Sequence, residues 1–240
     1  VYMIIGGKDL LNGKRFDKGG YILTYDYDKW SFIDPKEAQK KLNLPRNPRD
    51  YTSIAVTTDD SNDEIVYASS MGDGVIQYKN GTPVQSYNEK NAFKETAGGY
   101  GSGYCYIDGL AFDKNGNLWM TSSEVNHAVL VLDKAGAWHR LDIEQLRGVY
   151  TINDILITST NDKWIYVPRN TPKLVMIPNS ESLDEVSSYE FTTLIDTDGK
   201  ELTPSNYTCV AEDKDGYIWV GTNRGAVYFT KPRISSAEDK

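Results

Sequence analysis

Short apolar runs alternate with polar turn clusters along nearly the whole chain. Runs such as YIWVGT and AVLVLD are four to six β-branched and aromatic residues bounded by turn formers, a pattern that predicts strands. DKNG and DKDG read as tight turns, in which Asp starts the turn through its side chain and Gly takes the positive φ. Two stretches say nearly the same thing: FDKNGNLWMTSS at 112–123 and EDKDGYIWVGTN at 212–223. They supply a template of apolar strand, Asp-x-x-Gly turn, aromatic strand, small-residue turn and second apolar strand. The template recurs at 52–78, 106–133, 151–178 and 206–230, and a truncated copy opens the chain with YMIIGG and GYILTYDYDKWSFID.

Runs such as WSFID, AWHRLDI and YEFTTLI add a fourth strand to each copy. Four antiparallel strands recurring roughly every fifty residues predict an all-β fold, a β-propeller, rather than a sandwich. The expected organisation is one domain, 1–240, with blades at about 1–34, 51–88, 105–143, 150–195 and 205–231. The first copy lacks its innermost strand and the last its outermost, so the partial blades overlap instead of completing one another. The expectation is five consecutive blades of a larger ring, with a self-closed five-bladed ring as the alternative. Helical pattern is confined to DPKEAQKKL, where Asp34 is a candidate N-cap and Pro35 takes the first helical position, and to IEQLRG.

Composition narrows the function classes. A net charge of -8 argues against nucleic-acid binding, which rests on clustered Lys and Arg. No apolar run is long enough to span a membrane. The opening VYMIIGGKDL reads as a strand entered midway, with any signal peptide removed or upstream. Cys105 and Cys209 stand far apart, with no metal-ligand spacing; they read as two buried thiols, a Cys105–Cys209 bond being the alternative. Neither cofactor nor metal is expected. DKDG, DKNG and DTDG (196–199) hold clustered carboxylates, yet strand residues follow where further calcium ligands would be needed, so they read as turns. No catalytic residue is assigned: His127 and His139 accompany no nucleophile motif, and nothing singles out a carboxylate pair among 34 acidic residues.

The unit LTPSNYTCVAEDKDGYIWVGTNRGAVYF carries Pro204, Asn206, Asp213, Gly216, Trp219, Gly221, Thr222 and Gly225. In this it resembles the two-component regulator propeller repeat. The copy at Asp113, Gly116 and Trp119 shares the core but has Thr121-Ser122 in place of Gly-Thr; the copies at 52 and 151 keep only Tyr67 or Trp164 near the aromatic position. The resemblance implies an extracytoplasmic, periplasmic or cell-surface module of the Bacteroidetes type. It implies either a propeller of a type IX secretion assembly or the glycan-sensing ectodomain of a hybrid two-component regulator. The first expectation is a non-enzymatic scaffold for protein–protein interaction, the second a glycan sensor, and a propeller hydrolase or lyase is the third. The partners expected are a protein or an oligosaccharide, together with missing blades or downstream domains of the same protein.

Blade topology points to a site. Strands alternate in direction, so the loop between second and third strands shares a face with the blade-joining loop, around the channel mouth. Those loops contribute Asp73, Asn126, His127, Arg169, Asn170, Asn223 and Arg224, groups suited to hydroxyls or a carboxylate. GGYGSGYCYIDG adds Tyr100 and Tyr104, beside Tyr106, as stacking faces. Trp119 and Trp219, at matching second-strand positions, are expected to pack between blades. DPKEAQKKLNLPRNPRD is the one basic island, a candidate contact for a partner or an anionic glycan.

Overall fold

The computed structural model describes residues 1–9, 14–97 and 103–229. Among these, antiparallel sheets follow one another in chain order. The first is β1 (Tyr2–Ile5), β2 (Tyr21–Asp26) and β3 (Lys29–Ile33). The second is β4 (Tyr51–Thr58), β5 (Glu64–Gly72), β6 (Gly74–Lys79) and β7 (Thr82–Tyr87). The third is β8 (Cys105–Phe112), β9 (Leu118–Ser122), β10 (Val129–Leu132) and β11 (Trp138–Leu141), hooked to the second where Met71 and Gly72 pair with Tyr106 and Cys105. The fourth is β12 (Ile155–Ile157), β13 (Lys163–Val167), β14 (Lys173–Ile177) and β15 (Tyr189–Phe191). A short hairpin, β16 (Leu194–Ile195) and β17 (Glu201–Leu202), precedes the last sheet, β18 (Tyr207–Glu212), β19 (Ile218–Thr222) and β20 (Gly225–Phe229).

The sheets stack face to face, and a separate core fills each gap. Ile22, Tyr51, Val66 and Tyr78 lie between the first and second sheets, and Val75, Phe93, Ile107 and Met120 between the second and third. Val129, Val131, Ile165 and Val175 join the third to the fourth, and Tyr166, Tyr207, Ile218 and Val220 the fourth to the fifth. A strand turns alternate side chains to opposite faces, so a sheet covered on both sides needs a continuous apolar run. β9 shows this, being buried at every position.

The repeated turn has a specific geometry. Asp113 Oδ1 accepts the N–H groups of Asn115 and Asn117, both at 2.9 Å, while Oδ2 accepts the indole N–H of Trp119 at 2.9 Å. Asp213 repeats it, accepting from Asp215, Tyr217 and, at 2.7 Å, Trp219. One carboxylate thus closes the turn and orients the ring six residues on. In the fourth sheet the matching position is Thr158, and the Trp164 indole N–H has no partner.

Helix α1 (Pro35–Leu42) forms where its signals predict: Asp34 caps the Lys36 N–H at 2.9 Å, and Asn43 ends the helix at φ 51°. IEQLRG yields one 3-10 turn, Glu144–Leu146. Other expectations need correction. YEFTTLI does not form one strand; it splits between β15 and β16, and DTDG is the turn joining β16 to β17. Both cysteines are free, but only Cys105 is buried, since Cys209 faces outward from the last sheet. Trp119 is 1% exposed, with the Lys163 ammonium 4.4 Å from its ring, whereas Trp219 is 40% exposed because no sheet among the described residues covers that face.

Candidate functional site

Where the inner strands converge, a cavity of about 320 Å³ is lined by residues from four blades. Lys8 enters from the first. Its approach requires Gly6 and Gly7, at φ 129° and 100°; a Cβ on Gly6 would lie 2.6 Å from the Tyr51 nitrogen. The Lys8 ammonium donates to the carboxylate of Asp108 in β8 and, at 3.1 Å, to the carbonyl of Ile152, and sits 5.1 Å from the centre of the Tyr106 ring. Ser123 donates to Asp108 Oδ2 at 2.5 Å and itself accepts the Ile152 N–H at 2.8 Å. Burial pushes the Asp108 carboxyl up to about 6, although Lys8 and Ser123 both pull it down.

The fourth blade brings Asn153, Asp154 and Tyr166. Gly109 makes this approach possible, because a Cβ there would meet the Ile155 nitrogen at 2.7 Å and Asp154 Oδ1 at 2.8 Å. Asn153 Nδ2 donates to the Tyr166 hydroxyl at 2.9 Å, which donates to the Thr208 carbonyl at 3.1 Å. Asp154 opens into the cavity and, among the described residues, accepts the Ile155 N–H alone, at 3.0 Å. Surrounding protein strips solvation from its carboxyl and raises it above the ordinary value.

The residues singled out from sequence lie on loops away from this cavity. Asp73 accepts from Arg46 Nε at 2.8 Å and from the Arg49 N–H at 3.0 Å, so the basic island folds back onto it. Asp73 lines a second cavity, of about 300 Å³, with Arg46, Ser86, Asn88 and Lys90. Tyr104 packs on Gly72, where a Cβ would come within 2.7 Å of its ring, and is edge-on to Tyr106. Tyr100 lies outside the described residues. Asn126 and His127 share one partner: Glu95 accepts both backbone N–H groups and pairs with the His127 ring. Burial raises the Glu95 carboxyl, and these donors outweigh it, leaving it lowered. Arg169 is half-buried, and Asn170 is an exposed turn residue at φ 54°. Asn223 Oδ1 accepts the N–H groups of Ser205 at 2.9 Å and Asn206 at 3.3 Å; Arg224 is exposed. The structure thus brings Asp73 near Tyr104 and Asn126 beside His127, and leaves the other pairs on their own blades. Sequence reasoning missed Asp108 and Asp154. Their signal was a carboxylate within the apolar run YIDGLAF of β8 and another in TINDILI, directly before β12.

Comparison with known proteins now bears on this geometry. Residues 201–224 match the family model described as two component regulator propeller. No curated protein matches the chain. Among solved structures, PorZ, a surface component of the type-IX secretion system of Porphyromonas gingivalis, superposes with a TM-score of 0.81 at 19% identity over 95% of this chain. The fold is a β-propeller. Two extracellular domains from B. thetaiotaomicron, described as parts of the hybrid two component systems BT3049 and BT4673, superpose with TM-scores of 0.56 and 0.55 at 19% and 14% identity. Each alignment covers 88% of this propeller. The chain spans 30% of the length of PorZ and 25% and 24% of the other two. No helix among the described residues is long and apolar enough to cross a membrane.

Proposed function

We propose that this chain is a non-catalytic, extracytoplasmic propeller module that scaffolds a protein assembly at the bacterial surface. The observation that carries the reading is how the loops between strands and between blades use their polar groups. Asp73 is taken by Arg46 and Arg49, Glu95 by His127 and Asn126, and Asn223 by Ser205 and Asn206. Loops tied this way present a preformed surface, the condition for docking with little ordering cost. Likeness to PorZ supports the same reading. A hydrolase or lyase is disfavoured because Asp108, the buried carboxylate of the channel, is engaged by Lys8 and Ser123 and so leaves Asp154 without a second free carboxylate to work with.

Apolar sheet faces at both ends of the stack support further blades or domains of the same protein as neighbours. Met3, Ile5 and Phe32 share one face of the first sheet, with Phe32 67% exposed, and Trp219 and Tyr228 share one face of the last. Glycan sensing is the second reading. It is favoured by the exposed Asn126, Asn170, Asn223 and Arg224 on corresponding loops.

The test is native electrophoresis of the full-length protein from gently solubilised envelopes, combined with a glycan-binding screen. A scaffold migrates in an assembly, and the double substitution Arg169→Ala and Arg224→Ala releases it without lowering its melting temperature. Free migration of the parent, with saturable glycan binding lost in that variant, would replace the scaffold with the sensor.

A further inference from the structure

We propose that the channel cavity binds a primary alkylammonium group on the Asp154 carboxylate. The cavity, at about 320 Å³, falls within the ~300–1,000 Å³ range of small-molecule sites and joins apolar to polar lining. It already houses one alkylammonium of the chain's own. Lys8 rests on a carboxylate, a carbonyl and an aromatic face, the three partners such a cation prefers. That ammonium is committed to Asp108 and Ile152, so Asp154 has no ion-pair partner among the described residues. Its Oδ1 holds the Ile155 N–H, no donor to its Oδ2 stands among the described residues, and the exposed side chain opens into the cavity.

The rest of the lining suits an aliphatic amine. Ile4 and the Tyr51 ring offer apolar contact for a short chain, and the Gly6–Gly7 backbone reaches the wall without side chains to block it. A divalent metal fits worse: hard cations take six or more oxygens. No group of three carboxylate, His or Cys ligands is placed to hold one among the described residues. The chain's net charge of -8 draws cations toward the mouth. The inference does not rest on the scaffold reading: the amine could be a free small molecule or a lysine side chain of a docked protein.

The experiment titrates the intact protein with n-butylammonium chloride, following the melting temperature at fixed ionic strength. Sodium and tetramethylammonium chloride are controls, the latter a cation with no N–H to donate. The expected result is a saturable rise with n-butylammonium only. It is lost in Asp154→Asn and kept in Asp215→Asn, a change in an exposed turn. An equal response to Nα-acetyl-lysine methylamide identifies a site open to a protein's lysine, and a response to the free amine alone identifies a small metabolite. No saturable rise in the parent, or an undiminished one in Asp154→Asn, overturns the proposal. Should Asp154→Asn fail to fold, a crystal soaked in n-butylammonium decides: the ammonium lies on Asp154, or the proposal falls.

Discussion

Lys8→Met removes one charge and leaves the stem, so it isolates the ion pair between the first and third blades. The side chains of Lys8 and Asp108 are 7% and 1% exposed. Removing one partner of so buried a pair costs about 3–5 kcal/mol, because the remaining charge is left without compensation. Raising the Asp108 carboxyl from 3.8 to about 6 already corresponds to about 3 kcal/mol against its charged form, at about 1.4 kcal/mol per pKa unit, with Lys8 still in place. Without Lys8 the carboxyl rises further. The sign follows from linkage: a carboxyl raised in the folded state holds its proton more tightly there than in the unfolded chain. Its contribution to stability is therefore greatest below about pH 4 and falls as pH rises toward 6. In Lys8→Met the fall continues to higher pH. Urea unfolding followed by tryptophan fluorescence should show a deficit of about 3–5 kcal/mol at pH 8 that shrinks by more than half at pH 5. Adding Asp108→Asn should recover most of it. A Lys8→Met variant as stable as its parent at pH 8, or equally impaired at both pH values, would refute the reasoning.

Two further outcomes follow from the blade geometry. Trp119→Ala should cost about 3–5 kcal/mol, since it empties a filled interface and strips the buried Lys163 ammonium of its aromatic face. Trp219→Ala should cost about 1–2 kcal/mol, because it forfeits only the stack on Tyr228 and the Asp213 hydrogen bond on an open face; equal melting temperatures for the two would contradict this. In this 240-residue chain a maleimide should label Cys209 quickly and spare Cys105, whose thiol burial pushes up to about 12. Labelling of Cys105 at the same rate would mean that the second and third blades are not joined as described.

The strands were legible because each is bounded by turn residues whose chemistry is local. Asp113 and Asp213 close their turns with their own oxygens, and no distant residue is needed to predict it. The helix was legible for the same reason, through Asp34 and Pro35. The splitting of YEFTTLI was not, since Leu194 is held by pairing with Leu202, a contact that no periodicity in the run announces. The channel was illegible for a deeper reason. Lys8, Asp108 and Asp154 meet only when three blades converge, and each alone looks like an ordinary charge near a turn or strand. The exposure of Trp219 shows a converse failure: the shared Asp-Lys-x-Gly-x-apolar-Trp pattern before Trp119 and Trp219 gives opposite burial, because burial depends on the neighbour and not on the motif.

That contrast carries the argument about what the molecule needs. Trp119, Trp164 and Trp219 occupy the same place in three successive blades. The first is covered by Lys163 of the next blade, the second by Phe229 of the last, and the third by nothing described. The Asp213–Trp219 bond holds the third ring in the same bound geometry as the first. Its face is thus preorganised for a neighbour before any neighbour arrives, and an ordered aromatic pays little further entropy on burial. Outside the channel, where Lys8 reaches Asp108 and Ile152, each sheet packs on the next, and the first and last described sheets each leave one face without such a neighbour. Among the described residues, the exposed apolar faces of β1–β3 and β18–β20 are where a packed neighbour would bury most aromatic surface.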